Sequence, residues 1–206
     1  MSASAAQAGT VTYSSFTGWS TALGGGTINT AAIPDVGSFD FFGTGDASVT
    51  YDGVVFFQSK LLSTASLFNF SKGITGLPAI LTSQPATGIK SNNILTTLPF
   101  TVKAFAMLYG TSGGSTVNFA LSSGDTFSFA TAATGYDTPN FFGVISTTAF
   151  DSVLVTSTDT ALNIRDIKFG ENANTGGQVP EPKAWCLLVS GLVTIFARTR
   201  CAFATN

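Results

Sequence analysis

The chain has 206 residues, 44% of them apolar, enough to bury a sizeable core and too apolar for a disordered chain. Its formal charge is −2, and the stretch from Gly9 to Pro182 sets six basic residues against all 11 acids, which argues against nucleic acid, where clustered Lys and Arg supply the affinity. There is no histidine, and both cysteines (Cys186 and Cys201) lie near the C-terminus, so zinc, haem, thiol and Ser-His-Asp chemistry find no ligands or base in the body.

Residues 1–8 close on Ala6-Gln7-Ala8, which has the form of a signal-peptidase site, and they are read as a signal-peptide remnant; a soft N-terminus is the other reading. The next stretch, "SSFTGWSTALGG", predicts one short helix. Ser14 or Ser15 caps it, Phe16, Trp19 and Leu23 share a face, and Gly24 and Gly25 stop it. Trp19 on that stripe is expected to anchor a core. Beyond it the pattern is strand-like, in keeping with abundant Phe, Val and Thr and scarce helix formers.

"ASVTYDGVVFFQS" alternates around Asp52-Gly53, a strong hairpin signal. "PFTVKAFAMLYG" places Val102, Ala104, Ala106 and Leu108 on one face, and Lys103, Phe105, Met107 and Tyr109 on another, read as the outer one. In "TVNFALSSGDTFSFATA", Val117, Phe119 and Leu121 alternate, 122–125 turn, and Phe127 and Phe129 return. "FDSVLVTSTDTALNIRDIKFG" supplies two more strands. Short strands at this spacing describe a β-sandwich or jelly roll over residues 9–170.

A polar linker, 171–182, ends in Val179-Pro180-Glu181-Pro182 and leads into the final segment, 183–206. Its apolar run from Ala184 to Ala197 has only Ser190 and Thr194 as polar residues after Trp185, and Arg198 and Arg200 follow. As a helix it spans about 21 Å, short of the roughly 30 Å of a bilayer core, and the arginines favour a cytoplasmic end. A helix so uniformly apolar leaves little polar face for a core role.

On these residues the chain resembles the PEP-CTERM surface proteins of Gram-negative bacteria. Val179, Pro180, Glu181 and Pro182 match the signature, Trp185, Leu187, Leu188, Gly191 and Leu192 fit its helix, and Arg198 and Arg200 its basic end. The body fits more loosely, through Phe16, Trp19, Ala22, Gly24 and Gly25, then Phe141 to Val144, Ser146, Phe150, Ser152 and Val153, and last Asp166, Phe169 and Gly170. The resemblance implies export, processing near the Pro-Glu-Pro corner by a membrane-embedded exosortase, and transient or retained anchoring in the inner membrane. It also implies a non-enzymatic role at the cell surface or in a biofilm matrix, with exopolysaccharide as the ligand.

The remaining candidates are weaker patterns. Gly110 to Gly114 satisfies G-x-S-x-G but lacks a histidine and reads as a turn. Sugar rings would stack on exposed aromatic faces, for which Trp19, Tyr51, Tyr109 and Tyr136 are available; the loop bearing Tyr136, Asp137 and Asn140, together with Tyr109, is the first choice. Structural calcium, which needs only oxygens, is the one cofactor this composition supports, with Asp40, Asp46 and Asp166 as ligands. Turn-capping explains the same aspartates. Two further readings stay open: a subunit that self-assembles through poorly defended strand edges, and a glycan hydrolase built on a carboxylate pair.

Overall fold

The computed structural model describes residues 9–62, 65–70, 79–85, 91–131, 138–158 and 161–171. By compactness the chain divides into Met1–Asn174 and Thr175–Asn206, and the fold that follows is that of the first unit. The sorting residues Val179 to Arg200, the apolar helix expected over 183–206 and the Ala6-Gln7-Ala8 site lie outside the described residues.

Among the described residues one helix and twelve strands follow in order: β1 (Val11–Tyr13), α1 (Phe16–Ala22), β2 (Ile28–Ala31), β3 (Phe39–Thr44), β4 (Ala47–Tyr51), β5 (Val54–Gln58), β6 (Ala65–Phe70), β7 (Ile80–Pro85), β8 (Asn92–Thr111), β9 (Ser115–Leu121), β10 (Thr126–Thr131), β11 (Asn140–Ser157) and β12 (Leu162–Gly170). For the body, the all-β expectation with one short N-terminal helix holds. Local signals also hold. Ser15 Oγ accepts from the Gly18 amide at 3.3 Å, and Gly24 and Gly25 end the helix at φ 62° and 87°. Asp52 and Gly53 take φ 49° and 78°, the two positive values of a type I′ hairpin turn.

The long strands make the architecture. β8 and β11 pair antiparallel along two separate stretches, 104–109 with 140–145 and 92–97 with 152–157, and the register slips between Ile145 and Ser152. Such irregularities let a strand bend and change layer. One layer therefore runs β3-β6-β7-β12-β8-β11-β1, with β2 beside the end of β12. The other runs β4-β5-β8-β11-β9-β10. Between them lies the main core, where Phe119 stacks on Phe142 at 3.9 Å and meets Tyr109 edge-on at 5.0 Å.

The slip also sets which faces are which. Phe105, Met107 and Tyr109 face the main core, whereas Ala104 and Ala106 lie on the outer face of the first layer, beneath α1. The reading of the Tyr109 face as outer is thus corrected. Val102, expected on the alanine face, joins the main core instead. The bulky side chains fill the space between layers, and the small ones leave room for a helix. Trp19 closes that second core with no exposed surface, beside Leu23 and Ile145, and its Nε1 donates to the Val144 carbonyl at 3.1 Å. Gly143 lies directly under it. A Cβ there would stand 2.8 Å from Trp19 Cδ1 and 2.7 Å from Phe141 Cε1.

Candidate functional site

α1 covers only part of the first layer's outer face; the rest carries a different set of side chains. Cross-strand partners share a face, and the register gives one row as Phe41 (β3), Phe68 (β6), Thr82 (β7), Asn163 (β12) and Gly110 (β8). A neighbouring row begins with Phe39, Phe70 and Ile80. Arg165, Leu108 and Phe141 then face outward on β12, β8 and β11.

At the β3 end the surface is aromatic. Phe39 and Phe41 are 53% and 55% exposed, an unusual position for so apolar a side chain unless the patch meets something. Their rings lie 6.3 Å from Phe70 and 5.2 Å from Phe68, and Phe68 and Phe70 lie 5.6 Å apart. These four rings form one continuous patch.

Towards the middle the face turns polar and buried. Thr82 Oγ1 donates to Asn163 Oδ1 at 2.7 Å, which fixes the amide and leaves its Nδ2 to point elsewhere. That Nδ2 is buried without a partner, and so are Nε and Nη1 of Arg165. Both side chains line a narrow cleft of about 10 Å³, room for one water-sized group, with Ile80, Leu108, Tyr109 and Pro139 among its walls. A larger hollow of about 600 Å³ adjoins it through Tyr109 and Pro139, and is lined also by Tyr13, Phe129, Asn140 and Phe141. Asn140 Nδ2 is likewise buried and unpartnered.

Among the described residues, every buried side-chain nitrogen that lacks a hydrogen-bond partner belongs to Asn140, Asn163 or Arg165, and all three line one or other of these two cavities. An unmet buried donor costs roughly 1–3 kcal/mol, so a cluster of them at one place is a site prepared for acceptors.

The sequence-derived candidates divide. Tyr109 and Asn140 are brought together, as register partners and as walls of the larger hollow. Tyr109 is only 4% exposed, however, with its ring packed in the core and burial pushing its hydroxyl pKa up; it is a wall and not a stacking platform. Tyr136 and Asp137 lie outside the described residues. Tyr51 turns inward and its hydroxyl accepts from Asn69 Nδ2 at 3.1 Å. Trp19 is the core anchor expected.

Of the three calcium candidates, Asp46 pairs with Lys60 at 3.0 Å and accepts from the Lys60 amide at 3.1 Å, which hold its carboxyl below the usual carboxylate range. Asp40 is exposed on β3, and Asp166 sits exposed at φ 52° where β12 slips its register against β8. Among the described residues no three Asp, Glu, His or Cys side chains gather in a way that would hold a metal ion, so these acids are not brought together. Gly110 to Gly114 spans the β8–β9 connection, with Thr111 Oγ1 donating to the Gly113 carbonyl at 2.6 Å, as a turn requires.

Sequence reasoning missed Asn163 and Arg165. Their only signal was an Asn-x-Arg alternation between apolar residues on a late strand, and the strands that flank it come from elsewhere in the chain.

No protein-family model and no curated protein matches this chain. Among solved structures it is similar to a family 29 carbohydrate-binding module at TM-score 0.40 and 10% identity, covering 70% of this chain and 97% of that one. Mutants of such a module are similar too. One complexed with mannohexaose gives TM-score 0.40 at 10% identity (68% and 97% covered), and one with cellulohexaose 0.40 at 11% (66% and 93%). A likeness of that size is one of general outline.

Proposed function

We propose that this protein is an exported, non-enzymatic surface or matrix protein whose β-sandwich body binds polysaccharide on the open part of its first layer. The observation that carries the reading is the gathering of unmet amide and guanidinium donors beside an exposed aromatic patch. Sugars offer the complement, with hydroxyl and ring oxygens to accept hydrogen bonds and C–H faces to rest on aromatic rings. The larger hollow, at about 600 Å³, falls within the size of ordinary ligand sites.

Binding is tested by electrophoresis of the full chain through gels containing soluble neutral or acidic polysaccharides. Retardation that is lost in an Asn140→Ala, Asn163→Ala double variant of unchanged melting temperature supports the reading; no retardation by any polymer contradicts it. Export and sorting rest on the tail sequence. Intact mass from medium and membrane fractions, beside a Pro180→Ala, Pro182→Ala variant, tests that part: a species ending near the Pro-Glu-Pro corner and absent from the variant is expected.

A second reading has its own observation. Among the described residues β3 ends the strand order and pairs only with β6, it carries neither Lys nor Pro, and Phe39 and Phe41 extend a ring ladder to its edge. An edge so lightly defended suits addition of a strand from another copy. Sedimentation separates the two readings: a binder stays monomeric without glycan, whereas an assembler forms high-mass species that Phe41→Lys dissolves.

A further inference from the structure

We infer that the Arg165 cleft recognises a carboxylate carried on a sugar, so that the ligand is an acidic glycan such as a uronic-acid polymer; this rests on the polysaccharide reading and narrows it. The donor set is one-sided. Arg165 Nε and Nη1 and Asn163 Nδ2 all donate, and no acceptor among the described residues meets them. Asn163 is 4% exposed, and its only acceptor oxygen is occupied by Thr82 Oγ1, so the amide presents hydrogen atoms to the cleft.

A neutral sugar hydroxyl would leave this set poorly matched. It has one proton of its own to place and only weak acceptor lone pairs for three donors. A carboxylate has two acceptor oxygens and no proton. Nε and one terminal nitrogen form the flat edge of a guanidinium, and two parallel N–H bonds from that edge fit the spacing of carboxylate oxygens. The third donor, on Asn163, can take a remaining lone pair.

Charge points the same way. A half-buried guanidinium without a counter-ion is costly, and an arriving anion supplies what the fold withholds. Lys60, by contrast, already holds its carboxylate in Asp46.

Size settles what enters. With room for the centre of a single water-sized group, the cleft excludes a sugar ring and takes no more than the tip of a pendant group, one oxygen of a carboxylate. The ring must then lie outside. Phe141 faces outward on the strand beside Leu108, whose other neighbour across the sheet is Arg165, and it also lines the larger hollow, which gives a ring a place to rest.

The test is titration of the full chain with polygalacturonate and with the same polymer after carboxyl reduction, alongside a neutral glucan. The expected result is binding to polygalacturonate that weakens about tenfold to a hundredfold, the range for charge-assisted hydrogen bonds, both on carboxyl reduction and in Arg165→Gln. Asn163→Asp provides a second variant that places a carboxylate beside Arg165 within the protein, and it should block the acidic polymer while leaving the melting temperature unchanged or higher. Equal binding of reduced and unreduced polymer, or polygalacturonate binding indifferent to Arg165→Gln, overturns the carboxylate assignment while polysaccharide binding stands. Failure to bind any of the three polymers overturns both.

Discussion

The outer face of the first layer has two halves built from the same strands, and they solve opposite problems. Under α1 the strands present small side chains (Ala104, Ala106, Gly143) to Trp19, which packs with Leu23 and Ile145, and its indole N–H is satisfied by the Val144 carbonyl. Away from α1 the apolar side chains are large and exposed at Phe39 and Phe41, and the buried polar ones, Asn163 and Arg165, are left without partners. The first half is finished by its own chain. The second is arranged as though its partner comes from outside, and a protein that gathers unmet nitrogen donors there is accepting a local loss of stability for a function.

Substitutions can break or sharpen this contrast. Trp19→Ala removes the plug of the closed half and should cost about 3–5 kcal/mol, as truncation of a fully buried aromatic does, seen as a lower urea midpoint. Gly143→Ala overfills the same half against Trp19 and Phe141 and should cost roughly 1–3 kcal/mol. In the open half the sign reverses: Arg165→Met replaces an unmet cation by an apolar chain of similar length and should raise stability by about 1 kcal/mol while removing glycan binding. Phe39→Ser with Phe41→Ser should leave stability within about 0.5 kcal/mol, as exposed positions do, and lower any polymer binding or self-association that uses the patch. If both halves respond alike to these changes, the contrast between them is wrong.

The smallest effect concerns pH and lies away from both halves. Asp46 is held below its ordinary value of 3.8 by Lys60, and Asp151 by hydrogen bonds from Ser122 and Ser152. A carboxyl whose folded pKa is depressed contributes stability above its unfolded value and loses it as pH falls through the folded one. A small decline in melting temperature below about pH 4 is therefore expected, with the step reduced in Asp151→Asn and Lys60→Met variants.

Much of the closed half was legible in the sequence. The Ser15 cap, the Trp19–Leu23 stripe and the glycine stop are contiguous signals, and so are the Asp52-Gly53 turn and the Phe119–Phe127 hairpin. The open half was not. Phe39 and Phe41 meet Phe68 and Phe70 only because β3 pairs with β6, and Asn163 meets Thr82 only because β12 inserts between β7 and β8. No local pattern records those pairings. Tyr109 shows the same limit from the other side: it was read on the outer face as a ring for a sugar, but the register slip in the β8–β11 ribbon decides which face it takes, and it turns into the core; a shift of one residue exchanges the faces. The tail that pointed to export belongs to neither half, and its evidence is its sequence alone.

The most direct measurement is a titration of isotopically labelled protein with polygalacturonate oligomers, following the side-chain N–H signals of Trp19, Asn140, Asn163 and Arg165 by NMR. The account predicts that the Arg165 Nε–H and the Asn163 amide signals move with saturation while the Trp19 indole signal stays in place. Saturable movement at Trp19 with Arg165 and Asn163 unchanged, or no saturable change at any of the four, would contradict it.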